Sequence, residues 1–464
     1  MHQHPPARSE AKPNAPRPFR RHLRFGAFGL AALVAIGLTA CGPAIGSGEA
    51  ADPSKLQLPA EPKGEITIWD RSGDLYGVFD AAIAKFNEKY PDITVHHEAV
   101  DIGAKLQNTL ITGTDVPDGV FLDDQLVPGF ADHLWDLSDV LKPYLGDIAQ
   151  QKVDVNSLDG GIYGVPWDLD PGLLFYNATA LKAAGIDAES IKTYDDLLQA
   201  ARDYKAFKPD AGPIHLEQSP FLGQLQLEMY ASQLGTSITD AHGKLRLDSP
   251  KYQQILTFLD TVQKEGLGTR AEYLGPTDIA TLDSAQQVFV PWAQWFGFAP
   301  QQLLPETTGD WRAMPLPAWS DGGPRSGAMG GSSFIIPKDA KNPGLAWLFY
   351  EFLAFDPAGY AAVYGPNDIY PNGLNTSIPS YGPAADPAKP LFGTVDALGG
   401  QDLWKVAVDA GAQIPGGVPT PTWWGGAVDY LGNNIQKMLD GTMTPEEVIS
   451  VSTKDIQTNL VDRQ

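Results

Sequence analysis

The stretch from Glu65 to Val100 constrains the fold more than any other part of this 464-residue chain. "EITIWD", Glu65 to Asp70, alternates in polarity around the β-branched residues Ile66, Thr67 and Ile68, the pattern of a strand. "LYGVFDAAIAKFNEKYP" follows. In it Leu75, Val78, Phe79, Ala82, Ile83 and Phe86 fall at i, i+3, i+4, i+7, i+8 and i+11, one apolar stripe along a helix that Pro91 closes. "ITVHHEAV", Ile93 to Val100, returns to the strand pattern. A strand, a helix and a second strand in this order imply an α/β domain with a largely parallel sheet.

The same devices recur down the chain. "PDGVFLDD" ends a strand with Asp123 and Asp124, at the position where open α/β sheets hold ligands. "TYDDLLQAARDYKAF" opens with Thr193 as N-cap and Asp196 three residues later. "NPGLAWLFYEFLAFDP" has Asn342 as a cap and Pro343 at the first helical position. "TPEEVISVSTKDIQTNL" repeats the device with Thr444, Pro445, Glu446 and Glu447. Gly and Pro cluster at 209–213, 300–331, 365–394 and 411–426, marking loops or crossings between elements. No repeat of short period is present. The length suffices for two or more domains, each with a sizeable core.

The formal charge is −23, and residues 1–40 carry +5, so a chain without them carries −28. That sign argues against a nucleic-acid partner, whose phosphates need Lys and Arg clusters. It says little about a neutral ligand. Residues 1–40 read as an export signal: "RPFRRHLRFG" is basic, and Ala27 to Ala40 is apolar but short for a membrane span. Arg20-Arg21 matches the twin-arginine pattern only in part.

Cys41 is the one cysteine. Leu38-Thr39-Ala40-Cys41-Gly42 resembles a bacterial lipobox. The resemblance implies cleavage before Cys41 and acylation of Cys41, a lipid anchor at the outer face of the cell membrane, where two or more acyl chains hold stably. Residues 42–62, rich in Gly, Ala, Pro, Ser and Glu, suit a flexible tether between lipid and domain. The mature domain then has neither a free thiol nor a disulfide, and its core must supply its stability.

"YGVPWDLDPGLLFYN", Tyr163 to Asn177, joins two unlike halves. Leu173 to Tyr176 suits a buried strand, whereas Trp167, Asp168 and Asp170 bring an indole and two acids to its mouth, and no core tolerates unpaired acids.

With these motifs in order, the chain resembles the family 1 extracellular solute-binding proteins, the sugar-binding lipoproteins of ABC importers. "ITIWDRSGD…FDAAIAKFNEKYPDITV" is similar to the family's opening, and "GTDVPDGVFLDD" to its G-x-x-P-D-V segment. "LDGGIYGVPWDLDPGLLFYN" resembles D-G-K-x-Y-G-V-P followed by a Y-Y-N strand. "TYDDLL", "VFVPWAQW", "GGSSFIIPKDAKNPGLAWLFYEFL" and "LDGTMTPEEVI" follow in the expected order. The resemblance spans nearly all of residues 62–460. It implies a two-lobed periplasmic-binding-protein-like α/β fold. The lobes are joined by a hinge of three crossings and close on a ligand held in the cleft between them.

Set on that plan, the signal peptide is 1–40 and the anchored tether 41–61. Lobe one takes 62–170 and 330–375; lobe two takes 176–326 and 380–464. The implied function is binding of a mono- or oligosaccharide and its delivery to ABC permease subunits, by a monomer without cofactor. "GVPWDLDPGLLFYN" becomes the first crossing, with Trp167, Asp168 and Asp170 facing the cleft. A sugar stacks its C–H face on an aromatic ring and donates hydroxyls to carboxylates, and eleven tryptophans are many for one chain. Six are placed to serve: Trp69, Trp167, Trp292, Trp295, Trp423 and Trp424. Core packing is the competing role for each, since indoles bury large areas. "VPW" at 290–292 resembles the family's G-P-W, with Val290 where Gly is usual. Asp70, Asp123 and Asp124 end strands, and loop solvation or capping competes there. Gly330, Gly331 and Ser332 resemble the second crossing, where small residues let a ligand approach the backbone.

The same fold with aromatics and acids would also hold a polyamine or an osmolyte. Glycoside hydrolysis needs two carboxylates flanking a bond, and neighbouring acids on one strand serve that poorly. No G-x-S-x-G, H-E-x-x-H, Walker A or G-x-G-x-x-G motif is present. His96, His97, His133, His215 and His242 lack metal-ligand spacing. The sequence thus points to a binding protein rather than an enzyme or a metalloprotein.

Overall fold

The computed structural model describes residues 56–463 apart from 59, 72–75, 241, 368–372, 374–376, 387 and 417–418. The export signal, Cys41 and most of the tether lie outside the described residues.

The strands, in chain order, are β1 (Gly64–Arg71), β2 (Ile93–Val100), β3 (Gly119–Asp123), β4 (Ser157–Leu158), β5 (Gly161–Ile162), β6 (Val165–Pro166) and β7 (Asp168–Leu169). After them come β8 (Gly172–Asn177), β9 (Ile214–Glu217), β10 (Gly268–Ala271), β11 (Phe289–Ala293), β12 (Trp311–Pro315), β13 (Ser332–Ile335) and β14 (Ile378–Pro379). They build two five-stranded sheets. One has the order β2-β1-β3-β13-β6 and the other β10-β9-β11-β8-β12. In the first, β1 runs parallel to β2 and β3, and β13 antiparallel to β3 and β6. In the second, β9 runs parallel to β10 and β11, while β8 lies antiparallel to β11 and β12. Each sheet is thus a parallel core with antiparallel strands added where the chain arrives from the other lobe.

The apolar stripe read from the sequence does its expected work. Phe79, Ala82 and Phe86 of the helix Tyr76–Lys89 are buried in one core with Ile66 and Ile68, on the side of the first sheet covered by the helix Pro343–Phe355. A smaller core on the opposite side holds Trp69, Val120 and Leu122 against Ile102, Leu106 and Leu110. The second lobe has a single large core around β8 and β11, which the C-terminal helices join through Ala407, Ile435 and Ile456. Both capping boxes form: Thr193 with Asp196, and Thr444 with Glu447. Each satisfies two otherwise unpaired backbone N–H groups at a helix start.

The chain passes between the sheets at adjacent places. It leaves β6 through β7 and enters β8; it returns from β12 to β13 through residues 316–331; and it crosses again between Tyr381, packed against lobe one, and Phe392, in the second-lobe core. The crossings are tied together. β7 pairs with β14, Leu169 opposite Ile378. Pro171 bridges Ala328, and the Trp167 N–H donates to the Ser332 carbonyl at 3.3 Å.

Candidate functional site

A cavity of about 90 Å³ lies beside these crossings and opens to solvent at its mouth. It is smaller than a usual small-ligand site. Its first wall comes from lobe one: Asp124 and Gln125 after β3, and Gln151, Lys152 and Val155 on the short helix Gln150–Val155. Its second wall is Glu228 and Ser232 on the helix Pro220–Gln233, with Thr236 and Ser237 beyond it. Leu169, Ala328 and Gly330 of the crossings form the floor; Ile414, Thr420 and Trp424 close the side. The lobes touch at the rim, where Gly129 comes so close to the Thr422 carbonyl that a Cβ there would sit 2.9 Å from it.

Asp124 is fully buried and ion-paired to Lys152, itself 3% exposed. Ser333 Oγ donates to the Asp124 carboxylate at 2.6 Å. Lys152 Nζ also lies 3.4 Å from the Ser332 carbonyl and 3.8 Å from Asp168. The Ser332 N–H in turn donates to Asp168 at 2.6 Å. Burial works against the Lys152 charge, but Asp124 and Asp168 overcome it and hold its pKa above the usual value. Burial raises the Asp168 carboxyl to about 6, against the pull of Lys152. It raises Asp170 further, helped by the neighbouring Asp168 charge, and Asp170 Oδ1 is buried without a hydrogen-bond partner. Gly331, at φ +111°, makes room for this cluster: a Cβ there would strike both Lys152 Nζ and the Asp124 carboxylate. Arg71 supports the cluster from behind, paired to Asp123 and donating to Ser332 Oγ at 3.1 Å.

Of the residues singled out from sequence, Asp124, Gly330 and Trp424 line the cavity. Asp123, Asp168, Gly331 and Ser332 stand in the polar network next to it. Asp170 is buried beside that network.

The tryptophans are mostly elsewhere. Trp167 was expected to face the cleft, and the structure corrects this. It is 1% exposed, edge-on to Phe121 at 4.9 Å and stacked on Tyr364 at 5.3 Å within the core of lobe one. The reason is the pleat: consecutive side chains of an extended chain point to opposite sides. With Asp168 turned to Lys152, Trp167 must turn away. The same alternation at the end of β1 separates Trp69 from Asp70. Trp69 packs in the small core under Lys105, whose Nζ lies 3.9 Å from the ring centre, and donates to Glu98 at 3.1 Å. Asp70 instead meets His97 at 3.4 Å. Trp292 is fully buried, stacked on Tyr273 at 4.9 Å and edge-on to the half-buried Trp295 at 5.3 Å. Trp423 packs into the second-lobe core.

Two lining residues, Lys152 and Glu228, were missed. Nothing in "QQKVDVN" distinguishes Lys152 from a solvated lysine. Glu228 did carry a signal, as the one charged residue of the otherwise uncharged helix "PFLGQLQLEMYASQ". Among the described residues no group of three His, Cys, Asp or Glu is arranged to hold a metal. What the cavity offers is hydrogen-bond acceptors and donors and apolar contact, the equipment of a binding site; Trp424, 2% exposed, reaches its wall from the second-lobe core.

Two lobes with ligand space at their crossings define a solute-binding clamp, and the comparisons with known proteins agree. The model of the bacterial extracellular solute-binding protein family matches residues 71–360, more than half of the chain. The chain belongs to that family, and the family places it outside the cytoplasm. An arabinooligosaccharide-binding protein of Halalkalibacterium halodurans is 23% identical over 418 residues, 85% of this chain and 89% of its own. One of Bacillus subtilis is 26% identical over 310 residues, 63% of this chain and 68% of its own. Among solved structures, an ABC transporter associated binding protein of B. animalis subsp. lactis, in complex with β-1,6-galactobiose, shares the fold. Its TM-score is 0.71 at 20% identity, over 86% of this chain and 98% of that one.

Proposed function

We propose that this protein binds an oligosaccharide in the cavity at the crossings and presents it to the permease of an ABC importer. The carrying observation is the cavity itself, walled by polar groups of both lobes and floored by the crossings, so that a ligand there touches both lobes at once. Asp124 and Gly330 border the sugar's space, and Trp424, 2% exposed, backs it from the second-lobe core. Asp168, Gly331 and Ser332 hold the polar wall in place. The names of the relatives support a carbohydrate, and arabinose- and galactose-containing oligosaccharides are the first to try. The lipobox supports a further step: Cys41 carries the lipid that keeps the protein, as a monomer, at the outer face of the cell membrane.

Calorimetric titration of the purified protein with arabinotriose, β-1,6-galactobiose, maltose and spermidine tests the reading. A sugar at a hundred times its Kd stabilises by about 2.7 kcal/mol, visible in a thermal melt. Binding of spermidine with silence from every sugar would replace the carbohydrate by a polyamine. Release of monosaccharide from a bound oligosaccharide would make the protein a hydrolase. For the anchor, Cys41→Ala must abolish incorporation of labelled acyl chain.

A further inference from the structure

Glu228 is the sole charged residue of the helix Pro220–Gln233, and it stands on the cavity wall opposite the Asp124–Lys152 pair, partly exposed. Its carboxylate accepts from the Tyr252 hydroxyl, at 3.3 and 3.4 Å from the two oxygens. Tyr252, on the neighbouring helix Pro250–Lys264, is buried, and the backbone N–H of Ile238 also reaches the carboxylate. Among the described lining residues the other charges are Asp124 and Lys152. The Lys152 ammonium is already held by Asp124, the Ser332 carbonyl and Asp168. The cavity therefore has acceptors to spare and no uncommitted cation.

We infer that Glu228 makes the cavity selective for uncharged oligosaccharides and bars those bearing a uronic-acid carboxylate; this rests on the carbohydrate reading above. A sugar hydroxyl donates to Glu228 and gains a charged acceptor. A uronate brings a further carboxylate into the space lined by Glu228 and Asp124 with no uncommitted counter-charge, a repulsive element of the kind that sets specificity. The discrimination is itself pH-dependent. Burial pushes Glu228 up to about 7, over the opposing hydrogen bonds from Tyr252 and Ile238. A uronate stays ionised from pH 6 to 8, so rejection strengthens as Glu228 loses its proton across that range.

The test compares β-1,6-galactobiose with a disaccharide of the same linkage ending in glucuronate. Both are titrated calorimetrically at pH 6, 7 and 8 into the wild-type protein and Glu228→Gln. Glutamine keeps the side-chain shape and an acceptor for Tyr252. At pH 8 the wild type should prefer the neutral sugar by about 100-fold, the scale of a like-charge clash, and by clearly less at pH 6. In Glu228→Gln the preference should drop to about 10-fold or less and lose most of its pH dependence, the remainder coming from Asp168 and Asp170 beside Lys152. Equal wild-type affinity for the two sugars, or preference for the acidic one, overturns the inference and leaves carbohydrate binding standing. Strong discrimination unchanged in a folded Glu228→Gln, checked by its melt, removes the role from this residue. If these two and a wide array of other glycans all fail to bind the wild type, the carbohydrate reading and this inference both fall.

Discussion

Among the described residues, the clusters in which Lys152 and His215 each meet several carboxylates are both buried, and they are built differently. In the second lobe, His215 lies 3.1 Å from Asp278 and 3.4 Å from Glu217, under the ring of Trp292. Each acid there has further donors. Glu217 accepts from the N–H groups of Ser219 at 2.6 Å and Tyr273 at 3.1 Å; Asp278 accepts from Leu274 at 2.9 Å and Gln287 at 2.7 Å. At the crossings, Lys152 faces Asp124, Asp168 and Asp170, and Asp170 keeps an oxygen with no partner. The second-lobe cluster is a finished structural joint. The one at the crossings borders the cavity and holds more carboxyl groups than its one lysine can pair, so that burial and mutual repulsion raise Asp168 and Asp170. Unsatisfied buried polarity is costly wherever it occurs, and here it stands next to the space a polar ligand would fill.

Removing each cation probes that contrast most severely. Lys152→Met should cost about 3–5 kcal/mol near neutral pH, because it leaves buried carboxylates without their counter-charge. The loss should shrink toward pH 4, where protonated acids no longer need it. Urea unfolding at pH 7 and pH 4 measures both; a cost below about 1 kcal/mol at pH 7 would mean that the acids are already neutral there.

Trp167→Ala should cost a similar 3–5 kcal/mol as a large truncation in a packed core, with the Kd for sugar unchanged on the folded fraction. A weakened Kd without destabilisation would return Trp167 to the ligand and break the assignment made from its burial.

The two clusters should also separate by pH. The folded pKa of His215 is about 9: burial pushes it down, and the bonds to Asp278 and Glu217 more than reverse that. A raised imidazole pKa stabilises fully below the unfolded value near 6.5 and loses that contribution as pH rises to about 9. On the scale of about 1.4 kcal/mol per unit, the loss is on the order of 2–3 kcal/mol. Asp168 acts in a different window. Its carboxyl is raised from 3.8 to about 6, so its ionisation removes stability as pH rises between those values. Unfolding free energies from pH 4 to 9 should show both declines, and His215→Gln should flatten only the alkaline one. A single smooth slope that ignores the substitution would merge the clusters into one.

How far the sequence could foretell this divides along the same line. The β-α-β opening, both capping boxes and the family motifs are local patterns, and they were readable because helix caps and apolar stripes act within a few residues. Asp124, Gly330 and Trp424 line the cavity, and they lie at strand ends and crossings, places that a chain pattern marks. Trp167 was misplaced although its signal was present. The alternation that pairs Asp168 with Asp170 also turns Trp167 the other way. Lys152 was unreadable, since its importance comes from Asp124, 28 residues earlier, and from Gly331 on another crossing. Burial of a lysine is a property of its distant neighbours, and no local spacing encodes it.

The smallest test concerns two glycines, both at positive φ, with unlike surroundings. Gly331 at the crossings has φ +111°, and Gly185 in the second lobe has φ +73°. Gly185 lies near the left-handed region, at about 1–2 kcal/mol for an L-residue, while the φ of Gly331 lies beyond it, where the backbone strain is larger. They differ in space: a Cβ at Gly185 meets nothing within 4 Å, whereas one at Gly331 runs into the Lys152–Asp124 pair. Gly185→Ala should therefore show the backbone term alone. Gly331→Ala should add about 1–3 kcal/mol for overpacking, and it should weaken sugar binding by shifting the pair that forms the cavity wall. The difference between the two mutants in urea measures the collision together with the extra backbone strain at φ +111°. If they cost the same, the ammonium has moved aside freely, and the cluster at the crossings is looser than the second-lobe joint rather than packed against its glycine.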